Sequence, residues 1–303
     1  PEFSLPALEI LKNSKHKIIC VYTQSPKKKS RGQKISKTPI HIFSESEGIK
    51  VKTTKLTDDG EYEEFIKFKP DIVVVIAYGQ IIPERYLKTP NLIFLNVHAS
   101  LLPKWRGAAP IERAILNKES QTGISIMRME KGLDEGPTYL QTAIPIGEND
   151  TYGDIYNTLV EAGKKTLNDY FFPSSHSVHY PSRQNPEGAT YANKIKKSEI
   201  KINFNDTAYK AHKKICAFSP KPGAWFDVET IKYKIFDTKV LLKNDTKKFL
   251  DSEKLILPFK ENFLLVNKIQ KEGKNLMKIE DFRRGYSKDF EKIKKSFFKP
   301  QIK

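Results

Sequence analysis

The sequence predicts an α/β protein with a mainly parallel sheet, followed by a small β-barrel. Three observations lead there. Over residues 1–172, strand-sized apolar runs alternate with helical patterns, the mark of a mainly parallel sheet covered by helices. Over residues 201–303, short strand patterns follow one another with little helix between them, which suits a small barrel. Between the two, residues 173–188 are rich in Ser, Pro and His and read as linker. The expected division is therefore 1–172, a linker over 173–200, and a C-terminal domain over 201–303.

In chain order, residues 6–13 predict a helix and 17–22 a strand. Residues 25–37 (Ser-Pro-Lys-Lys-Lys-Ser-Arg-Gly-Gln-Lys-Ile-Ser-Lys) break the rhythm. They lack apolar periodicity and are strongly basic, so they read as a solvated loop or as one that folds onto an anionic partner. A helix over 61–68, a buried strand over 71–77 and a strand over 92–97 follow. Residues 110–118 predict a helix whose Pro110 suits the first turn. Strands over 123–129 and 139–146 precede a long amphipathic helix over 152–170. His176 and His179 fall in the linker and read as exposed residues rather than ligands. Beyond it come a short helix over 206–218 and a Ser-Pro-Lys-Pro-Gly turn over 219–223. Strands are expected over 224–228, 233–242, 254–257 and 263–269, a strand or turn over 276–279, and a basic helix over 290–298.

Composition narrows the class. Of 303 residues, 38% are hydrophobic and 29% charged, which fits a globular chain with a heavily charged surface. The longest apolar runs, 72–77 and 92–95, are far below the roughly 20 residues a membrane helix requires. Cys20 and Cys216 stand far apart, with no metal-type spacing, so no metal is expected. Cys20 lies in an apolar run and reads as core. Two lone cysteines suit a reducing compartment, the cytoplasm of a bacterium or an organelle matrix. The net charge of +17 is uneven. Residues 1–180 hold 24 Lys and Arg against 21 Asp and Glu, a net +3; residues 181–303 hold 29 against 15, a net +14. The excess is either a lysine-rich solvated surface or the footprint for a polyanion.

The chemistry-bearing stretch begins at a strand end: Asn96-Val97-His98-Ala99-Ser100-Leu101-Leu102-Pro103-Lys104-Trp105-Arg106-Gly107. In α/β sheets ligands bind beyond the carboxyl ends of the strands. Period-two alternation puts Asn96 and His98 on one face, a neutral donor beside a group that changes charge near pH 7. Acyl transfer needs both, one to stabilise a developing oxyanion and one to handle a proton. Downstream, Gly132-Leu133-Asp134-Glu135-Gly136 is a glycine-flanked turn whose Asp134 can reach back to orient the histidine. Each residue alone has an ordinary structural explanation; the three together are far more specific.

Asn-x-His-x-Ser-Leu-Leu-Pro followed by an Asp turn resembles the signature of the folate-dependent formyltransferases. The resemblance implies catalytic roles for Asn96, His98 and Asp134, and a Rossmann-like catalytic domain. It also implies that Ser100, Leu101, Leu102 and Pro103 lie beside the folate, and Ala77-Tyr78-Gly79-Gln80 resembles the family's other folate-proximal loop. The co-substrate implied is 10-formyltetrahydrofolate. Trp105-Arg106-Gly107-Ala108-Ala109-Pro110 and Ala189-Thr190-Tyr191-Ala192 match the branch that acts on initiator methionyl-tRNA, and Arg31 lies in a basic insertion like the one that contacts tRNA there. That branch carries an OB-like C-terminal domain. The family's first strand and its Gly-Thr pair would lie before Pro1. Gly136-Pro137 replaces a usual Gly-Asp, and Lys221 replaces a frequent aromatic. Alternatives are transfer to an amino-sugar nucleotide, to glycinamide ribonucleotide, or a non-catalytic RNA-binding role.

Overall fold

The computed structural model describes residues 4–29, 34–173, 179–244 and 253–297. Arg31 and His176 lie outside the described residues. In chain order the chain forms α1 (Leu5–Lys12), β1 (Val21–Tyr22), β2 (Lys27–Lys29), β3 (Lys34–Ser36), α2 (Pro39–Ser46), β4 (Val51–Lys52), α3 (Glu61–Lys67), β5 (Ile72–Val75), α4 (Glu84–Leu87), β6 (Ile93–His98) and β7 (Arg106–Gly107). Then follow α5 (Pro110–Leu116), β8 (Gln121–Arg128), β9 (Thr138–Pro145), α6 (Tyr152–Phe171), β10 (Tyr191–Ala192) and α7 (Ala208–Ala217). The last elements are β11 (Ala224–Val228), β12 (Ile231–Leu241), β13 (Leu255–Pro258), β14 (Phe263–Lys271), β15 (Met277–Lys278), α8 (Ile279–Gly285) and α9 (Ser287–Phe297).

Two compact units emerge. One comprises Pro1–Gly107, Thr122–Ile144 and Asn157–Tyr191; the other Ala108–Gln121, Pro145–Tyr156 and Ala192–Lys303. In the first, β5 pairs in parallel with β6, and β1 in parallel with β4. β8 enters antiparallel to β6, with β9 beyond it, giving the order β5-β6-β8-β9. Of the run expected over 17–22, only Val21 and Tyr22 join the ladder with β4. Aromatic packing anchors this end of the sheet. Phe65, Tyr86 and Phe94 bury together, with the Phe65 and Tyr86 rings edge to face at 4.9 Å. The helix α2, which lacks a strong apolar stripe, is set by its start. Pro39 fits the first turn, and the Thr38 hydroxyl accepts from the His41 N–H. Among the described residues of the basic segment, β2 and β3 pair antiparallel, Lys28 opposite Ile35, where the sequence predicts only loop. A ladder of backbone hydrogen bonds needs no apolar side chains, and Ile35 is exposed.

In the second unit β11-β12-β14-β13 form an antiparallel sheet, and β15 pairs with β14. A bulge around Asp237 in β12 adds twist, which curls the sheet into a half-barrel, the OB-like architecture expected. Alternation along β11 sends Ala224, Phe226 and Val228 inward and leaves Trp225 and Asp227 outward. Phe226, Tyr233, Ile235, Val266, Phe282 and Phe290 are almost fully buried. Each such side chain contributes about 1.5–3 kcal/mol by burial. The helix α8, read only as the end of a strand or turn, covers this core through Ile279 and Phe282. No described helix is long and apolar enough to cross a membrane.

Candidate active site

The parallel pairing of β5 with β6 sets Val75 beside Asn96, so the loop after β5 leaves the sheet at the edge where β6 ends. Asn96 and His98 lie two residues apart on β6 and share one face. Asp134 reaches them from the turn between β8 and β9, in a left-handed conformation (φ +50°). Only glycine fits at the end of that turn: a Cβ on Gly136 would lie 2.0 Å from the Arg128 carbonyl oxygen. The Asp134 carboxylate then makes three approaches. Oδ1 accepts from Asn96 Nδ2 (3.2 Å), Oδ2 accepts from the Gly107 N–H (2.9 Å), and Oδ2 lies 3.6 Å from His98 Nδ1.

The other His98 nitrogen faces the Trp105 carbonyl, with Nε2 at 2.9 Å. A carbonyl only accepts, so Nε2 carries a hydrogen, and Nδ1 is left facing the carboxylate. The imidazole is only 6% exposed. Trp105 holds that carbonyl by adopting φ +61°, and its N–H donates to Thr190 Oγ1 at 2.9 Å. A non-glycine residue in this region of φ, next to the strand end that carries Asn96 and His98, is an arrangement the surrounding contacts must sustain. The Trp105 indole N–H is buried without a hydrogen-bond partner among the described residues.

The segment expected beside the folate is held from beneath. Ser125 Oγ donates to the Ser100 carbonyl (2.6 Å) and accepts from the Leu102 N–H (3.0 Å). Gln141 Nε2 donates to the Leu102 carbonyl (2.8 Å) and to Ser125 Oγ (2.7 Å). Ser100 Oγ donates to the Lys104 carbonyl at 2.6 Å, which closes the loop on itself. Leu101 lies against Gly123 so closely that a Cβ there would meet Leu101 Cδ2 at 2.5 Å and the Thr142 carbonyl oxygen at 2.2 Å. Pro103 is half-buried and its carbonyl accepts from the Thr190 N–H. On the other loop, Gly79 takes φ +69°, and Tyr78 packs against the Phe65–Phe94 cluster. Burial, then the charges of Glu61 and Asp58, push the Tyr78 hydroxyl above its ordinary pKa. It too is buried without a partner among the described residues.

Sequence reasoning named the three converging groups but missed Gln184, Thr190 and the Trp105 carbonyl around them, and Ser125 and Gln141 beneath the 100–103 loop. Ser125 and Gln141 were detectable as polar residues set into the apolar strands β8 and β9. The described residues contain no group of three or more His, Cys, Asp or Glu that could hold a metal ion.

In the second unit, the outward face of β11 and β12 combines an aromatic with cations. Lys232 Nζ lies 4.3 Å and Lys201 Nζ 5.1 Å from the centre of the Trp225 ring. Arg113 is held by Glu199 (2.6 and 3.1 Å), so its charge is already matched.

Comparison with known proteins agrees along most of the chain. Residues 4–170 match the model of the Formyl transferase family, and residues 194–287 that of the Formyl transferase, C-terminal domain. The methionyl-tRNA formyltransferase of Parvibaculum lavamentivorans is 37% identical over 294 residues, covering 95% of each chain. That of Legionella pneumophila is 36% identical, covering 93% of this chain and 92% of its own. Among solved structures, an N-formyltransferase from Helicobacter canadensis, complexed with folinic acid and dTDP-3-aminofucose, has a TM-score of 0.59 at 18% identity. It covers 89% of this chain and 96% of its own. HypX from Aquifex aeolicus has a TM-score of 0.60 at 14% identity and covers 90% of this chain and 48% of its own. These two likenesses concern the fold. The matches to both family models and the near-full-length relatives establish that the chain belongs to the formyl transferase family.

Proposed function

We propose that this chain transfers the formyl group of 10-formyltetrahydrofolate to the α-amino group of initiator methionyl-tRNA. The observation that carries the chemistry is the convergence of Asp134, from the β8–β9 turn, on Asn96 and His98 at the end of β6. The choice of acceptor is supported by relatives bearing that name, which align with this chain almost end to end.

The amine lone pair attacks the formyl carbon, forming the new C–N bond while the carbonyl π electrons move onto oxygen. Asn96 Nδ2 has two hydrogens; one is engaged by Asp134 and the other remains for the oxyanion. His98 Nε2 is held by the Trp105 carbonyl, so Nδ1 is the nitrogen that exchanges a proton, beside the Asp134 carboxylate. The adduct loses its ammonium proton through this pair. Collapse breaks the bond to N10 of the folate, which leaves with a proton as tetrahydrofolate. Tyr78, Gly79 and residues 100–103 border the same edge and would hold the folate: Leu101 and Leu102 supply apolar surface for its ring, and Ser100, through Lys104, and Pro103, through Thr190, fix the loop. Arg31 is the tRNA contact implied by resemblance.

The test is product identity. With formyl-labelled folate and charged initiator tRNA, label should become acid-precipitable and should leave the tRNA attached to methionine after mild base. Label recovered only as formate, or no transfer while the tRNA stays charged, would overturn the reading.

A further inference from the structure

The stretch between α6 and β10 contains a side chain that spans two halves of the site. Gln184 Oε1 accepts from Arg106 Nε (3.0 Å) and Nη2 (2.8 Å), while its Nε2 donates to the carbonyl oxygens of Asp134 (2.8 Å) and Gly136 (2.7 Å). The orientation of the amide follows from its partners, since a guanidinium only donates and carbonyls only accept. Arg106 is 5% exposed, so its charge depends on this acceptor, with Glu135 farther off at 3.8 Å. One amide thus ties the strand-end loop, whose Trp105 carbonyl holds His98, to the turn that presents Asp134. Thr190 steadies the same loop from the other side, through Trp105 N–H to its hydroxyl and Arg106 N–H to its carbonyl, both 2.9 Å.

The geometry points to Gln184 as a positioning residue for formyl transfer, acting through the backbone of Asp134 to set the carboxylate against His98 Nδ1. This inference rests on the reading of Asn96, His98 and Asp134 as the reacting groups. The 3.6 Å between Asp134 Oδ2 and His98 Nδ1 is longer than a hydrogen bond, so small displacements of the turn decide whether the two meet.

Two variants test it. Gln184→Glu keeps an acceptor for Arg106 but sets a carboxylate oxygen against two carbonyls, pushing the turn away. Gln184→Met keeps the length and removes all four bonds. For Gln184→Glu, with active sites counted by folate binding, kcat should fall about 10- to 100-fold, the scale of a displaced catalytic group. The KM for the folate should stay within about twofold, because loss confined to kcat marks an interaction made in the transition state. In an Asp134→Asn background, either change should cost less than about threefold, since residues acting through one another are not additive. Losses that multiply, unchanged kcat in both variants, or a loss confined to KM would overturn the proposal. So would failure of both to fold, which would make Gln184 a structural residue. If Asp134→Asn itself keeps full activity, the assignment of the reacting groups fails first; if only the Gln184 variants are silent, the assignment stands and this proposal alone falls.

Discussion

Replacing Asp134 by asparagine preserves shape and removes charge, and the surrounding hydrogen bonds give the consequence a size. The carboxylate accepts from Asn96 Nδ2 through Oδ1 and from the Gly107 N–H through Oδ2. An asparagine offers one acceptor and one donor. Whichever way it lies, its NH2 group faces an N–H, either that of Gly107 or that of Asn96. One charge-assisted hydrogen bond is therefore lost outright, worth about 1.5–3 kcal/mol. At about 1.4 kcal/mol per tenfold, that alone is roughly 10- to 150-fold in rate. The variant also loses the negative charge facing His98 Nδ1, so the predicted fall in kcat is about 10²- to 10³-fold. The assay is single-turnover formyl transfer at saturating folate and charged tRNA, where binding defects do not enter, with thermal unfolding as the control for fold. A folded variant within about threefold of the parent rate would refute the reasoning, since it would show that the carboxylate contributes less than one hydrogen bond.

Three further outcomes follow from the same coordinates. Gly123→Ala should raise the folate KM and lower Tm, because its methyl group must displace Leu101 or the Thr142 carbonyl; unchanged values for both would show that the two strands give way freely. Burial, then the neighbouring Lys213 charge, hold the His212 imidazole below its ordinary pKa, between Thr238 Oγ1 and Asn149 Oδ1. The unfolded chain takes up that proton first, so stability should drop as pH falls below about 6.5, and the loss should level off below the folded pKa. His212→Gln should flatten that dependence between about pH 7 and 5, and parallel Tm curves for the two proteins would contradict it. Finally, the tRNA KM should rise steeply with salt, with Lys232→Ala lowering the log–log slope by about 1; an unchanged slope removes this face from the tRNA contact. The intact chain is required for that titration. Helix α5 packs on α7 and its Leu116 packs against the C-terminal core, so a chain cut after Tyr191 would strip the apolar surface α5 meets there.

Much of the fold was legible because its signals are local. The strand over 224–228 was placed residue for residue by its short strand pattern, and α6 to within one residue by its amphipathic pattern. The antiparallel entry of β8 was not legible, because a strand's direction is set by its partner rather than by its own pattern. Helix α2 escaped because its start depends on a Thr-Pro cap rather than on periodicity. For the site, Asn96, His98 and Asp134 carried a spacing that sequence exposes. Gln184 and Thr190 did not, because their role consists in contacts with residues about 50 to 85 positions away. The composition of residues 173–188 suggested only a linker, and composition does not record where a side chain's hydrogen bonds go.

The central claim is the identity of the acceptor, and kcat/KM measured side by side for two acceptors tests it most directly. Initiator methionyl-tRNA and a dTDP-linked amino sugar would each be offered with the same 10-formyltetrahydrofolate at physiological salt. The account predicts transfer to the tRNA at a kcat/KM at least about 10³-fold above that for the sugar nucleotide, because only the long phosphate track of tRNA engages the +14 carried by residues 181–303. Equal or greater kcat/KM for the amino sugar would contradict it.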